Sequence, residues 1–139
     1  MKKNLSLLIL VIIVSACSKK EEKLELTSAE AFAYSMETGW ELNATCRVKG
    51  FNQQENEKEY KAKLSYTIDL KTPDGKLLED VDEGLIDKSE KTRLTDLPLE
   101  IQIEIDSTFK PGKYYVIFNV SDDLSGKSVS AKKDFELAK

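Results

Sequence analysis

An alternation of apolar and polar residues with a period of two runs through most of this chain. It is regular over residues 40–48, 60–70 and 97–105, where every second side chain is apolar and the intervening ones, apart from Pro98, are polar. Successive side chains of a β-strand point to opposite faces, whereas a helix repeats every 3.6 residues. The alternation therefore predicts strands with one buried face and one solvated face.

Turn sequences separate these strands. Thr-Pro-Asp-Gly occupies residues 72–75, Lys-Pro-Gly occupies 110–112, and a connection containing glycine covers 122–127. Proline presets φ, and glycine and aspartate suit the remaining corner positions of tight turns. Further apolar alternation over 114–120 and 129–137 completes at least five strands, which together predict an all-β, antiparallel β-sandwich.

The segment 24–39 admits two interpretations. Ser28 is a candidate N-cap for a short helix, but Phe32, Tyr34 and Met36 also alternate with small residues at a period of two. We favour a strand.

The segment 79–95 is acidic and weakly patterned. After a short return strand that starts at Leu77 and Leu78, we expect a loop, with one edge strand inside it as the alternative.

The N-terminus has the organisation of a secretory signal. Lys2 and Lys3 precede an apolar run over residues 7–14, and small residues then lead to Cys17. This run is about half of the ~20 residues that a transmembrane helix needs. The small residues before Cys17 resemble the lipobox of bacterial lipoproteins. The resemblance implies that residues 1–16 are cleaved and that Cys17 carries a diacylglyceryl group and usually an N-acyl chain such as palmitate.

The resulting division has three parts: the signal peptide 1–16, the lipidated Cys17 with a polar tether to residue 23, and one domain over 24–139. Without residues 1–16 the chain has 123 residues and, because Lys2 and Lys3 are lost, a net charge of −6 rather than −4. This negative charge argues against nucleic acid and against an anionic membrane surface as partners.

The predicted location is the cell envelope, with the domain held by lipid at an outer membrane and facing either the periplasm or the cell surface. Residues 18–22, Ser-Lys-Lys-Glu-Glu, resemble the surface-export signal of Bacteroidetes-type lipoproteins. A plain solvated tether has the same composition, so the sidedness stays open. The six-residue tether reaches only ~20 Å when extended, which keeps the domain near the bilayer.

The catalytic inventory is sparse. The chain has no histidine, and the second cysteine, Cys46, lies on the apolar face of a predicted strand, where it acts as a small hydrophobe. Serine–histidine and cysteine–histidine pairs, structural zinc sites and glycine-rich phosphate loops are all missing. We therefore predict no catalytic residues, no cofactor and no metal, and a protein that is not an enzyme. Paired carboxylates, as in glycosidases, are the remaining enzymatic alternative.

Calcium is the metal considered most closely. Residues 80–84, Asp-Val-Asp-Glu-Gly, resemble the start of an EF-hand loop, but the glycine comes one position early and Lys91 replaces the bidentate glutamate. A looser site built from acids of this loop or from Asp122 and Asp123 is left as an alternative to simple solvated loops.

Residues 110–116, Lys-Pro-Gly-Lys-Tyr-Tyr-Val, resemble the start of strand F in immunoglobulin-like domains. The resemblance implies a tyrosine corner at Tyr114, whose hydroxyl bonds backbone a few residues upstream. It also places Val116 where the family has its second disulfide cysteine, and Cys46 where the first belongs. The usual tryptophan on strand C is missing, since Trp40 lies on an earlier strand.

The side chains of Tyr115 and Ile117 are predicted to face away from the core, which makes them a candidate partner surface. Our interpretation is a non-enzymatic, membrane-anchored envelope lipoprotein that acts as an accessory or protein-interaction module. The alternative is a surface module that binds glycans or calcium.

Overall fold

A computed structural model describes residues 22–139. The signal peptide, Cys17 and most of the predicted tether lie outside the described residues. Eight strands follow one another in the described part: β1 (Glu25–Met36), β2 (Gly39–Lys49), β3 (Gln54–Asn56), β4 (Glu59–Lys71), β5 (Leu77–Glu90), β6 (Asp96–Asp106), β7 (Gly112–Asp122) and β8 (Ser128–Leu137). Within residues 22–139, no helix has the length and apolar character needed to span a bilayer.

The strands form two antiparallel sheets. One has the order β1-β2-β6, and the other runs β3-β4-β7-β8, with β5 paired to β4. Because β5 pairs with nearly the whole of β4, β3 and β7 share the opposite edge of that strand. Strand β1 also lies close to β8, so the two sheets approach each other along one side. The predicted all-β, antiparallel sandwich is confirmed.

The core lies between the two sheets and consists of the apolar positions of the alternating segments. Trp40, Leu42, Ala44, Cys46 and Val48 of β2 are all buried, as the alternation predicts. The facing sheet contributes buried side chains from β4, β7 and β8. Each buried aliphatic or aromatic side chain stabilises the fold by roughly 1.5–3 kcal/mol.

The predicted tyrosine corner is present. The hydroxyl of Tyr114 donates a hydrogen bond of 2.7 Å to the backbone carbonyl of Lys110, and the ring is buried against Phe109 and Phe135. Val116 and Cys46 are buried on β7 and β2, in opposite sheets.

The acidic segment after residue 77 differs from the expected loop, because it forms the 14-residue strand β5. This strand pairs with β4 along one edge only, and five of its six acidic residues are exposed. A bulge at Asp80, where φ is +53°, interrupts its register. The bulge and the exposed acids hide the period of two in the sequence, while backbone pairing with β4 supplies the hydrogen bonds.

Candidate functional site

Three large apolar side chains form a continuous exposed row on strand β1. Phe32 is 60% exposed, Tyr34 55% and Met36 47%. The Phe32 and Tyr34 rings contact each other edge to face, with centroids 4.7 Å apart. Single exposed apolar residues are common on protein surfaces, but contiguous apolar patches mark interaction sites more often.

A β-bulge turns this row outward. The β1–β2 register shifts between Thr27 and Glu30, and Ser28 within that shift has a φ of +54°. Before the bulge the even-numbered Leu26 packs against the core, whereas after it the odd-numbered alanines 29, 31 and 33 do so. The bulge therefore exchanges the two faces of β1 and exposes the large side chains.

Acidic side chains flank the row on the same outer face. In the β-ladders Tyr34 lies opposite Glu41, and Glu41 lies opposite Glu104. Met36 lies opposite Gly39, which lies opposite Asp106. We call the surface formed by Phe32, Tyr34, Met36, Glu41, Glu104 and Asp106 the aromatic–acidic face.

A notch of about 440 Å³ lies at the end of the aromatic–acidic face. Its walls include Met36, Trp40 and Phe109 together with Glu104 and Asp106. The hydroxyl and amide of Thr108 both donate to Asp106, and these hydrogen bonds hold the pKa of its carboxyl below the usual range. Asp106 is thus an anion at the mouth of a partly apolar notch.

The residues predicted as a partner surface, Tyr115 and Ile117, lie on the other sheet. Both are half-buried on its outer face. The ammonium groups of Lys132 and Lys113 lie 4.6 and 5.6 Å from the centroid of the Tyr115 ring, so lysine side chains cover part of it. Their role as a contact surface stays a prediction.

Beside them is a depression of about 460 Å³, which we call the polar depression after its hydroxyl, amide and carboxylate residues. It is lined by Ser65, Tyr66, Thr67, Glu83, Gly84, Leu85, Asn119 and Ser121. The Asn119 amide group donates to Asp69 at 2.9 Å and accepts from the Ser130 hydroxyl at 2.7 Å. These bonds orient the amide before any ligand is present.

The acids considered for calcium do not gather into one site. Across residues 22–139, no three acidic or cysteine side chains lie close enough to hold a metal ion. Asp122 is buried and accepts hydrogen bonds from the backbone amides of Asn52 and Leu124 and from the Ser125 hydroxyl. Its contacts hold together the loops at this end of the sandwich.

The sequence analysis did not predict the aromatic–acidic face, although one of the sequence features that form it was recognised. The alternation of Phe32, Tyr34 and Met36 predicted the strand correctly. A regular strand in phase with Leu24 and Leu26, however, places these side chains on the core side of β1. Only the bulge at Ser28 reverses that assignment.

No protein-family model and no curated protein matches this chain. Among solved structures, a family 123 glycoside hydrolase from Clostridium perfringens aligns with a TM-score of 0.51 and 16% identity, covering 78% of this chain and 22% of the hydrolase. A target of the Northeast Structural Genomics Consortium aligns with a TM-score of 0.46 and 16% identity, covering 84% of this chain and 86% of the target. This chain spans about a fifth of the hydrolase's length, and the similarity shows a shared fold alone.

The prediction that the chain is not an enzyme is wrong as stated, because this fold forms part of a glycoside hydrolase chain. The prediction rested on missing histidine and thiol pairs, which exclude only some nucleophiles. Glycoside hydrolysis commonly uses two carboxylates instead, and the chain has 25 acidic residues.

Proposed function

We propose that this chain is a lipid-anchored envelope protein whose β-sandwich binds another envelope protein through the aromatic–acidic face. The observation that carries the proposal is the exposed row of Phe32, Tyr34 and Met36. Covering such side chains removes apolar surface from water, which is favourable by roughly 25 cal/mol per Å². A partner that covers the row gains this free energy on binding.

The structure of β1 supports a role for the row beyond packing. A regular strand in phase with Leu26 directs Phe32, Tyr34 and Met36 inward, and the bulge at Ser28 directs them to solvent instead. Bulges that redirect side chains in this way are often found at functional sites.

The proposed anchor is compatible with an accessible face. Leu24 is already buried. The backbone carbonyl of Lys23 also packs tightly against Gly50, because a Cβ added to Gly50 would lie 2.0 Å from the Lys23 oxygen. The folded domain thus begins about seven residues after Cys17. Tyr34 lies ten residues further along a strand that rises ~3.3 Å per residue, so the row is about 30 Å from the anchored end.

The proposal predicts that the row is needed for complex formation. We expect the double variant Phe32→Ser, Tyr34→Ser to lose a specific partner in cross-linked pull-downs from native envelopes. Leu77→Ser is the control, since Leu77 is 45% exposed but lies on β5 of the other sheet. Equal recovery of the same partner with both variants would show that another surface makes the contact.

The anchor has a separate test. Wild-type protein should incorporate labelled palmitate and fractionate with membranes, and Cys17→Ala should do neither. If the wild-type protein does not incorporate palmitate, the lipid anchor is contradicted. The aromatic–acidic face is still tested separately by the pull-down.

A second candidate function, glycan binding, is favoured by the polar depression on the other sheet. Asn119 and the hydroxyl-bearing Ser65, Thr67 and Ser121 line it, and the fold occurs in an enzyme whose structure was studied for glycolipid glycan hydrolysis. A glycan bound only by the folded state raises the melting temperature. Soluble oligosaccharides should therefore stabilise the wild type and not Asn119→Ala, and a flat titration of the wild type removes this candidate.

A further inference from the structure

We infer that the occupant of the aromatic–acidic face is a basic, extended segment of the partner protein, with arginine or lysine at alternate positions. The inference rests on the proposed function and adds the chemistry of the partner. It follows from the charges, the strand spacing and the notch of this face.

At this end of the sheet, the charged side chains of β1, β2 and β6 are all negative. Strands β1 and β6 contain acids but no lysine or arginine. The basic residues of β2, Arg47 and Lys49, lie at its far end, where the Arg47 guanidinium bonds both carboxylate oxygens of Asp96 at 2.7 and 2.9 Å. The aromatic–acidic face therefore attracts cations and repels anions.

Glu41 and Glu104 are direct cross-strand neighbours. Like charges directly opposite each other destabilise a sheet, and no ion pair in the described part of the chain engages either glutamate. A cationic side chain placed between them relieves this repulsion. This pair thus favours a positively charged occupant over a neutral one.

The aromatic row supplies the second contact that a cation prefers. Tyr34 and Glu41 are opposite each other, so a ring and a carboxylate lie side by side. Arginine is suited to such a site because its planar guanidinium stacks on a ring and also donates to a carboxylate.

The notch supplies a further position. Its walls combine the apolar side chains of Met36 and Phe109 with the carboxylates of Glu104 and Asp106. Long basic side chains lay their aliphatic stems on apolar surface while the charged end reaches polar groups.

The spacing along β1 indicates an extended segment. Tyr34 and Met36 are two residues apart on one strand face, a separation of roughly 7 Å. An extended peptide repeats its side chains on one face at the same interval, so basic residues at every second position match the row and the notch.

The test is a titration of the purified mature protein, with its lipid anchor, in detergent with a short fluorescent peptide of alternating arginine and threonine. We expect saturable binding that weakens as salt rises, because exposed charges are screened over ~10 Å at 0.1 M. Peptides with glutamine or glutamate in place of arginine serve as controls and should bind weakly or not at all.

Variants then locate the binding. Glu41→Gln with Glu104→Gln should weaken it about three- to tenfold, as expected for two exposed charge contacts. Tyr34→Ala should weaken it about two- to fivefold through loss of the cation–π contact, while Tyr34→Phe should retain it. Glu136→Gln, an exposed acid on the other sheet, should change nothing.

Equal binding of the glutamine peptide, or equal binding by all variants, overturns the inference. If the double variant Phe32→Ser, Tyr34→Ser still loses its envelope partner, the binding face stands and only its basic occupant is wrong. If that variant retains the partner while the arginine peptide binds as described, the face recognises basic segments without being the envelope contact.

Discussion

Tyr114 and Tyr115 are adjacent residues with contrasting environments. Tyr114 is 2% exposed, packs against two phenylalanines and donates its hydroxyl to the Lys110 carbonyl. Tyr115 is half-buried on the outer face under lysine side chains, and no hydrogen bond from its hydroxyl occurs within residues 22–139. Substitutions at these two residues therefore distinguish the contribution of the tyrosine corner to stability from that of a surface tyrosine.

We expect Tyr114→Phe to lower the free energy of unfolding by about 1 kcal/mol, because it removes the part-buried hydrogen bond to the Lys110 carbonyl. Urea unfolding monitored by tryptophan fluorescence at Trp40 measures this. Tyr115→Phe is the control and should change stability by less than about 0.5 kcal/mol. Equal effects of the two substitutions would refute the structural role of the corner.

Cys46 illustrates how burial controls reactivity. The side chain is 2% exposed on β2, and burial raises the pKa of its thiol to about 11. The thiolate is the reactive form of cysteine, so the native protein presents very little of it at pH 8.

In a Cys17→Ser variant, Cys46 is the only thiol of the chain. We expect the native protein to react with a chromogenic disulfide reagent at pH 8 at least roughly a hundredfold more slowly than the urea-unfolded protein. The native rate should rise as the pH increases toward 11, because the thiolate fraction rises. A native rate equal to the unfolded one would place Cys46 at the surface.

Among the elements, the strands with a strict alternation were predictable. Strands β2, β4, β6 and β7 each bury one face against the opposite sheet. Because every second side chain of these strands is removed from water, their sequences have an apolar residue at every second position. Edge strands carry less of this constraint. The bulge at Ser28 depends on how β1 pairs with β2 and approaches β8, and residue spacing within β1 alone does not contain that information.

The candidate site was hidden for the same reason. Tyr115 and Ile117 face outward on a regular strand, so their orientation could be predicted from the alternation of side chains between the two faces of that strand. Phe32 and Tyr34 face outward only because a register shift precedes them, and their acidic neighbours Glu41 and Glu104 come from other strands.

The hairpin between β1 and β2 depends on a glycine. Gly39 has a φ of +138°, and a Cβ at this position would lie 2.1 Å from the Ile105 carbonyl oxygen. We expect Gly39→Ala to destabilise the fold by more than about 2 kcal/mol, since it adds a backbone clash to the conformational strain.

Gly75 is the matched control for this substitution. It also has a positive φ, +88°, but no atom lies within 4 Å of the place that a Cβ would occupy. Gly75→Ala should therefore show only the conformational strain, about 1–2 kcal/mol. Thermal melting of both variants distinguishes the two effects, and a similar loss in both would contradict the close β2–β6 approach.

At the scale of the whole molecule, the sandwich presents two different outer faces. The β1-β2-β6 sheet presents an exposed aromatic row among acids, whereas the β4-β7-β8 face presents lysine-covered Tyr115 and a polar depression. The sequence prediction selected the second face for a partner, and our proposal selects the first.

Site-specific photo-cross-linking in native envelopes tests this choice most directly. A benzoylphenylalanine introduced in place of Tyr34 should form one dominant adduct with an envelope protein. The same group in place of Tyr115 should form little or none. A dominant adduct from the Tyr115 position and none from the Tyr34 position would contradict the proposal and return the contact to the face that the sequence favoured.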